Sequence, residues 1–230
     1  MMNISIARIQ AIFMKDYKEF SRNYSVSIVM FMPLVVAFFY NQAGEHSIPA
    51  IFMTVNLTFA MVTTFVQACL MAEEKERNTL RSLLLSPASL GDILIGKSTL
   101  VSVISAIIIA ICFYFFTYMP SIMVIVALAI SLFFYSALGT ICGLFTKSTM
   151  EASLAVMPVL IIFSFGPSAL AFAERYPILQ IAEWLPSSQL LLLTDATSTM
   201  DLALPILVIT IWSIVAWIVT MILCQKRMID

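Results

Sequence analysis

Apolar residues in this chain gather in six long runs separated by short polar stretches, and the runs have the length that a bilayer demands. A helix needs roughly 20 apolar residues to cross about 30 Å of hydrocarbon. Ser25 to Tyr40, Pro49 to Ala72, Thr99 to Met119, Ser121 to Phe145, Ala152 to Ala173 and Leu202 to Cys224 meet or approach that length. The first is short, so it has to borrow flanking residues or thin the bilayer locally. Only Met119-Pro120 parts the third from the fourth, which predicts a tight hairpin.

Between the runs the pattern changes. Ile6, Ile9, Phe13, Tyr17, Phe20 and Tyr24 recur every three or four residues, and this spacing predicts an amphipathic helix over 4–24 that lies in the headgroup layer. Such a helix is either an anchor alone or also a contact for a cytosolic partner. Past Ala72 the second span is expected to run on as a stalk, because Glu73 and Arg77 form a favourable i,i+4 pair among good helix formers. Ser86-Pro87 then breaks it: a residue before proline leaves the α region, and Ser followed by Pro suits the start of a new helix. Residues 73–97 therefore read as a cytoplasmic stalk and a short helix, Pro87 to Ile95, roughly parallel to the membrane. Its Leu90, Ile93 and Leu94 suit either a soluble partner or the chain's own N-terminal helix. The stretch 174–201, with Tyr176, Pro177, Trp184 and Pro186, is too broken to span and predicts an exterior pair of short helices re-entering the outer leaflet.

Composition fixes the class. With 61% hydrophobic and 11% charged residues in 230, the chain holds more apolar surface than one soluble core can hide. The expected fold is an all-α polytopic membrane protein, a single transmembrane domain over 1–230. Orientation follows from the basic residues, since Lys and Arg near span ends stay on the cytoplasmic side. Of 12, only Arg175 falls on the other side of the six-span reading, which places both termini in the cytoplasm of a plasma membrane. The net charge of -1 hides this asymmetry, and no nucleic-acid partner is expected. Cys69, Cys112, Cys142 and Cys224 lie within or at the ends of spans and predict neither a disulfide framework nor a metal site. None of the six runs contains Asp, Glu, Lys, Arg or His, which argues against intramembrane catalysis.

One motif misleads. Gly91 to Ser98 matches G-x-x-x-x-G-K-[ST] letter for letter. That loop binds phosphate only when a buried strand delivers it to a helix N-terminus, whereas here a leucine-rich helical segment precedes it and a span follows. Nucleotide binding by this chain is not expected.

The stretch Glu73-Glu74-Lys75-Glu76-Arg77-Asn78-Thr79-Leu80, then Leu83-Leu84-Leu85-Ser86-Pro87, then Leu94-Ile95-Gly96-Lys97, resembles the signature of ATP-binding-cassette type-2 permeases, with Asn78 where a glycine is usual. The resemblance extends to the amphipathic start, six spans, the hairpin and the long segment before span six. It implies a bacterial exporter half whose Ser86 to Leu94 segment is a coupling helix seated on a separate ATPase subunit, which would hold ATP and Mg. Glu73, Arg77, Ser86, Pro87, Leu90, Gly91, Asp92 and Leu94 are then the coupling residues. A second permease copy or a related permease would complete the pair.

Asn56, Thr63 and Gln67 fall seven and four residues apart in span two, a polar seam on an apolar helix. Polar groups at membrane depth choose a neighbouring helix or a wet cavity. Both readings stand: glue between helices, or a wall of the translocation path. Span five is interrupted by Pro158 and Gly166-Pro167, where kinks arise, and Phe163 and Phe165 between them are either an apolar plug or packing residues. Gly139-x-x-x-Gly143 in span four reads as a close-packing face. The resulting expectation is export of an apolar or amphipathic cargo such as a drug, a lipid-like molecule or an amphipathic peptide. The alternative is a membrane scaffold or immunity factor that docks a cytosolic ATPase without carrying anything.

Overall fold

The computed structural model describes residues 5–77, 79, 89–173, 175–195 and 199–227, and every regular element among them is helical. Five helices are long and apolar enough to cross a bilayer: α4 (Ile48–Glu76), α5 (Leu90–Phe115), α6 (Ile122–Phe145), α7 (Thr149–Ala169, prolonged by a 3-10 turn to Phe172) and α9 (Thr199–Arg227). The first apolar run is occupied by two shorter helices, α2 (Tyr24–Val29) and α3 (Met32–Gln42), with Pro33 in the first turn of the second, and a sixth crossing is reached only if they are counted together with the helix before them as one bent span. Proline there starts a helix readily but cannot donate to a preceding turn, so the span breaks where a single rod over 25–40 was expected. Helix α1 (Ile6–Arg22) is bent by 89° from Val26–Gln42, which follows it, an angle that suits an amphipathic helix lying along a membrane surface.

Helix α4 is the axis of the bundle, two-thirds of its apolar window being buried. Its middle, Phe59–Thr64, is wound as a π-helix between α-helical halves. Helix α6 packs against it through the two glycines: a methyl group on Gly139 would sit 2.5 Å from the Thr64 carbonyl oxygen, and one on Gly143 2.5 Å from Met71 Cβ. No side chain fits there, which is why the small-residue face is needed. On its other side α6 receives three hydrogen bonds from α9, from Ser213 Oγ, Trp217 Nε1 and Thr220 Oγ1 to the carbonyls of Ile130, Phe133 and Ala137. Phe59 stacks on Tyr135 with ring centroids 4.8 Å apart, and Phe134 and Phe163 close around them.

Two boundaries differ from the sequence reading. Ser86 and Pro87 lie outside the described residues, but Leu90, Gly91, Asp92 and Leu94 do not belong to a separate surface helix. They form the opening turns of α5, whose N-cap is Ser89: Ser89 Oγ accepts from the Asp92 N–H, and Asp92 returns the bond to the Ser89 N–H. This reciprocal box satisfies donors at the N-terminus of α5. At the other end α5 stops at Phe115, and Thr117, at φ 52°, turns the chain toward Pro120 and α6 in the expected hairpin. Beyond α7, a 3-10 helix at Pro177–Trp184 and α8 (Pro186–Asp195) form the predicted pair of short helices. Ile178, Ile181 and Trp184 are exposed on the first, while Leu190 and Leu193 of the second are buried in the bundle.

Candidate functional site

The basic end of the bundle is tied together by ions that sequence reasoning passed over. Lys97, on α5, is wholly buried, and its Nζ lies 3.1 Å from both carboxylate oxygens of Asp16 on α1 and 3.1 Å from Glu74 Oε1 on α4. Lys15 of α1 also binds Glu74 and lies 3.6 Å from Glu19, and Thr79 donates to the Glu74 carboxylate. Two cations thus meet the buried carboxylates of Asp16 and Glu74. Burying a lone ion costs several kcal/mol, so each of these charges is tolerable only because the others are present. Burial lifts the Asp16 carboxyl above its ordinary value, against the downward pull of Lys97 and Lys15.

A second clasp sits nearer the start of α1. Asp92 is fully buried; it accepts from the Ser5 backbone N–H at 3.0 Å and pairs with Arg8 at 3.1 Å. Between the two clasps, Gly96 lets α5 approach α1 so closely that a methyl group on it would meet Ile12 Cγ2 at 2.8 Å. The face of α1 against the bundle is therefore Ile12, Asp16 and Phe20, whereas Ile6, Tyr17 and Tyr24 of the predicted apolar stripe are exposed. The one signal that would have revealed this was a carboxylate four residues from apolar partners on either side, at the centre of a helix face.

The other coupling residues are placed as follows. Glu73 and Arg77 pair at 2.5 Å on the last turn of α4, with Arg77 facing solvent. Leu90 is half-buried, and Gly91 and Leu94 are buried at the α5 start. Asp16, Glu19 and Glu74 gather closely enough for a cation, but Lys15 and Lys97 already fill that place.

Deeper in the bundle the polar seam is divided among three neighbours. Asn56 Nδ2 donates to the Ser187 carbonyl at the start of α8, Thr63 shares a 2.8 Å hydrogen bond with Ser105 of α5, and Gln67 Nε2 donates to Thr140 of α6 at 2.9 Å. All three are fully buried, so within this chain they join helices. Among the described residues, the buried Asn56 Oδ1, Ser188 Oγ and Gln189 Oε1 have no hydrogen-bond partner. Phe163 packs against Phe134 and Tyr135, while Phe165, two residues on, is exposed.

The model of one protein family, described as ABC-2 type transporter, matches residues 7–190, well over half of the chain. The chain belongs to the ABC-2 type transporter family. A search of curated proteins gives no match. As an ABC-2 protein the chain is the multi-pass permease component of an ABC transporter, and the family implies partnership with an ABC ATPase subunit. The permease's own G-x-x-x-x-G-K-[ST] stretch does not fit a nucleotide: Gly91 to Ser98 is helical, Gly96 is pressed on Ile12, and Lys97 is neutralised by carboxylates. The matched segment contains all three joints of the seam and, Ser5 apart, every residue of both clasps.

Proposed function

We propose that this permease is the membrane half of an exporter for apolar or amphipathic molecules, driven by a separate ATPase that engages its basic, cytoplasmic end and itself holds ATP and Mg. The observation that carries this reading is the buried junction at Lys97. It ties the surface helix α1 to the ends of α4 and α5, the two spans between which residues 78–88 run. Any push on that segment reaches two spans and the surface helix together, because none of the three can move without exposing a buried charge. Ser86, Pro87, the solvent-facing Arg77 and the half-buried Leu90 supply the contact, with Glu73 fixing Arg77. Gly91, Asp92 and Leu94 act from behind as the seat of the lever.

The cargo path runs along the exposed face of α7, where Met157, Ile161, Ile162 and Phe165 present apolar surface with no fixed charge, toward a second permease copy. Phe163 packs that wall onto Phe134 and Tyr135 of α6, and behind it Asn56, Thr63 and Gln67 join α4 to α8, α5 and α6. An uncharged, apolar lining suits a drug, a lipid-like molecule or an amphipathic peptide better than a small ion.

The test uses the permease and its ATPase in vesicles. Photo-crosslinkers at Arg77 and Leu90 are expected to capture a subunit that hydrolyses ATP, and Leu90→Asp is expected to abolish ATP-driven movement of an amphipathic dye while leaving membrane insertion intact. Normal dye transport by Leu90→Asp, or no ATPase captured at either position, overturns the docking assignment. ATP hydrolysis stimulated by a permease that moves no cargo would identify the scaffold alternative.

A further inference from the structure

At the far end of α1 from the Asp92 clasp, a polar cleft of about 470 Å³ opens between that helix and the last turn of α4. Lys18 and Arg22, one turn apart on α1, form one wall, and Arg77 of α4 forms the other. Two carboxylates also line it, but each has a partner: Glu73 pairs with Arg77, and Glu19 with Lys15. Three cations against two carboxylates leave a charge of +1, and among the described residues Lys18 and Arg22 have no ionic partner. Asn23 accepts from the Val26 N–H through its side-chain oxygen, which leaves its amide hydrogens to the cleft. Tyr24, highly exposed, stands at the mouth. Helix α1 is amphipathic and bends by 89° into the helix that follows; a helix of that kind lying along a membrane surface sets the cleft at the level of lipid headgroups, where a phosphate is the commonest anion.

We infer that this cleft is a binding site for the phosphate of an anionic phospholipid, held by Lys18 and Arg22 with Arg77 closing from α4. The cleft is within the size range of small-ligand sites. Its donors come from two elements, so a bound headgroup bridges the surface helix and the end of the axial span. It thereby adds an external clasp beside the internal one at Lys97. Arg77 then answers to two anions, Glu73 and the lipid. The inference does not depend on the transport reading, since it concerns only how the folded chain meets the bilayer.

The experiment is lipid retention by the purified full chain, read by native mass spectrometry against phosphatidylglycerol, phosphatidylcholine and, separately, inorganic phosphate. Wild type is expected to hold phosphatidylglycerol at concentrations where phosphatidylcholine is lost. With about 1 kcal/mol per cation near a membrane surface, Lys18→Ala or Arg22→Ala weakens retention about fivefold and the pair about thirtyfold. Lys226→Ala, an exposed cation at the end of α9, is the control and leaves retention unchanged. Both target residues are exposed, so the variants keep their fold, and unchanged thermal midpoints verify this. Equal retention by wild type and the double variant overturns the site. Equal retention of the two lipids, or binding of inorganic phosphate without selective lipid retention, overturns the lipid assignment.

Discussion

Lys97 is the residue on which most of the basic end depends, and its chemistry is set by company rather than by type. A lysine at the end of a span is ordinarily free to snorkel toward the headgroups; here it is shut behind α1 between Asp16 and Glu74. Removing the cation leaves two carboxylates buried within reach of one another, with Lys15 alone to answer both. Lys97→Met is therefore expected to cost roughly 3–5 kcal/mol of stability. Asp16→Asn is expected to cost clearly less, because burial already disfavours the ionised form of Asp16 and the amide keeps a hydrogen-bonding oxygen. Thermal unfolding of the two variants in one detergent checks the order, and equal losses would contradict it.

Helices as units were largely legible, since apolar runs of bilayer length leave few alternatives to a span. The stalk to Glu76, the hairpin at Met119-Pro120 and the paired short helices before α9 all follow from patterns printed in the chain. What escaped was partnership. Leu90 to Leu94 read as part of a separate short helix, whereas the Asp92 side chain closes a capping box with Ser89 and makes them the first turns of the third span. The seam of Asn56, Thr63 and Gln67 was visible as a row, but its three different partners were not, because the π-turn between Asn56 and Gln67 changes the direction in which they point. Gly139-x-x-x-Gly143 was the most reliable signal, and it yields a test: Gly143→Leu drives a side chain into Met71 and the Ala68 carbonyl. Overpacking of that kind costs about 1–3 kcal/mol or more, whereas Val126→Leu on the exposed side of the same helix leaves the thermal midpoint unchanged.

The whole molecule is a bundle around α4 with α1 fastened across one end. The fastening is internal, so it answers weakly to the solution. Raising salt from about 0.1 M to 1 M shortens the screening length from about 10 Å to 3 Å, which weakens the half-exposed Lys15–Glu19 pair but hardly touches Lys97. Amide exchange along α1 is accordingly expected to stay slow at both salt concentrations in wild type and to become fast in Lys97→Met. Salt-induced release of α1 in wild type would show that the fastening is superficial. The same junction constrains the birth of the protein. Glu74 leaves the ribosome after Lys15 but before Lys97, and Asp16 long before either Glu74 or Lys97, so the two carboxylates have Lys15 alone to share until the third span has arrived. Segment-by-segment insertion cannot deliver a finished structure here; the first three crossings have to be kept together, still wet at one end, and come to rest as a set.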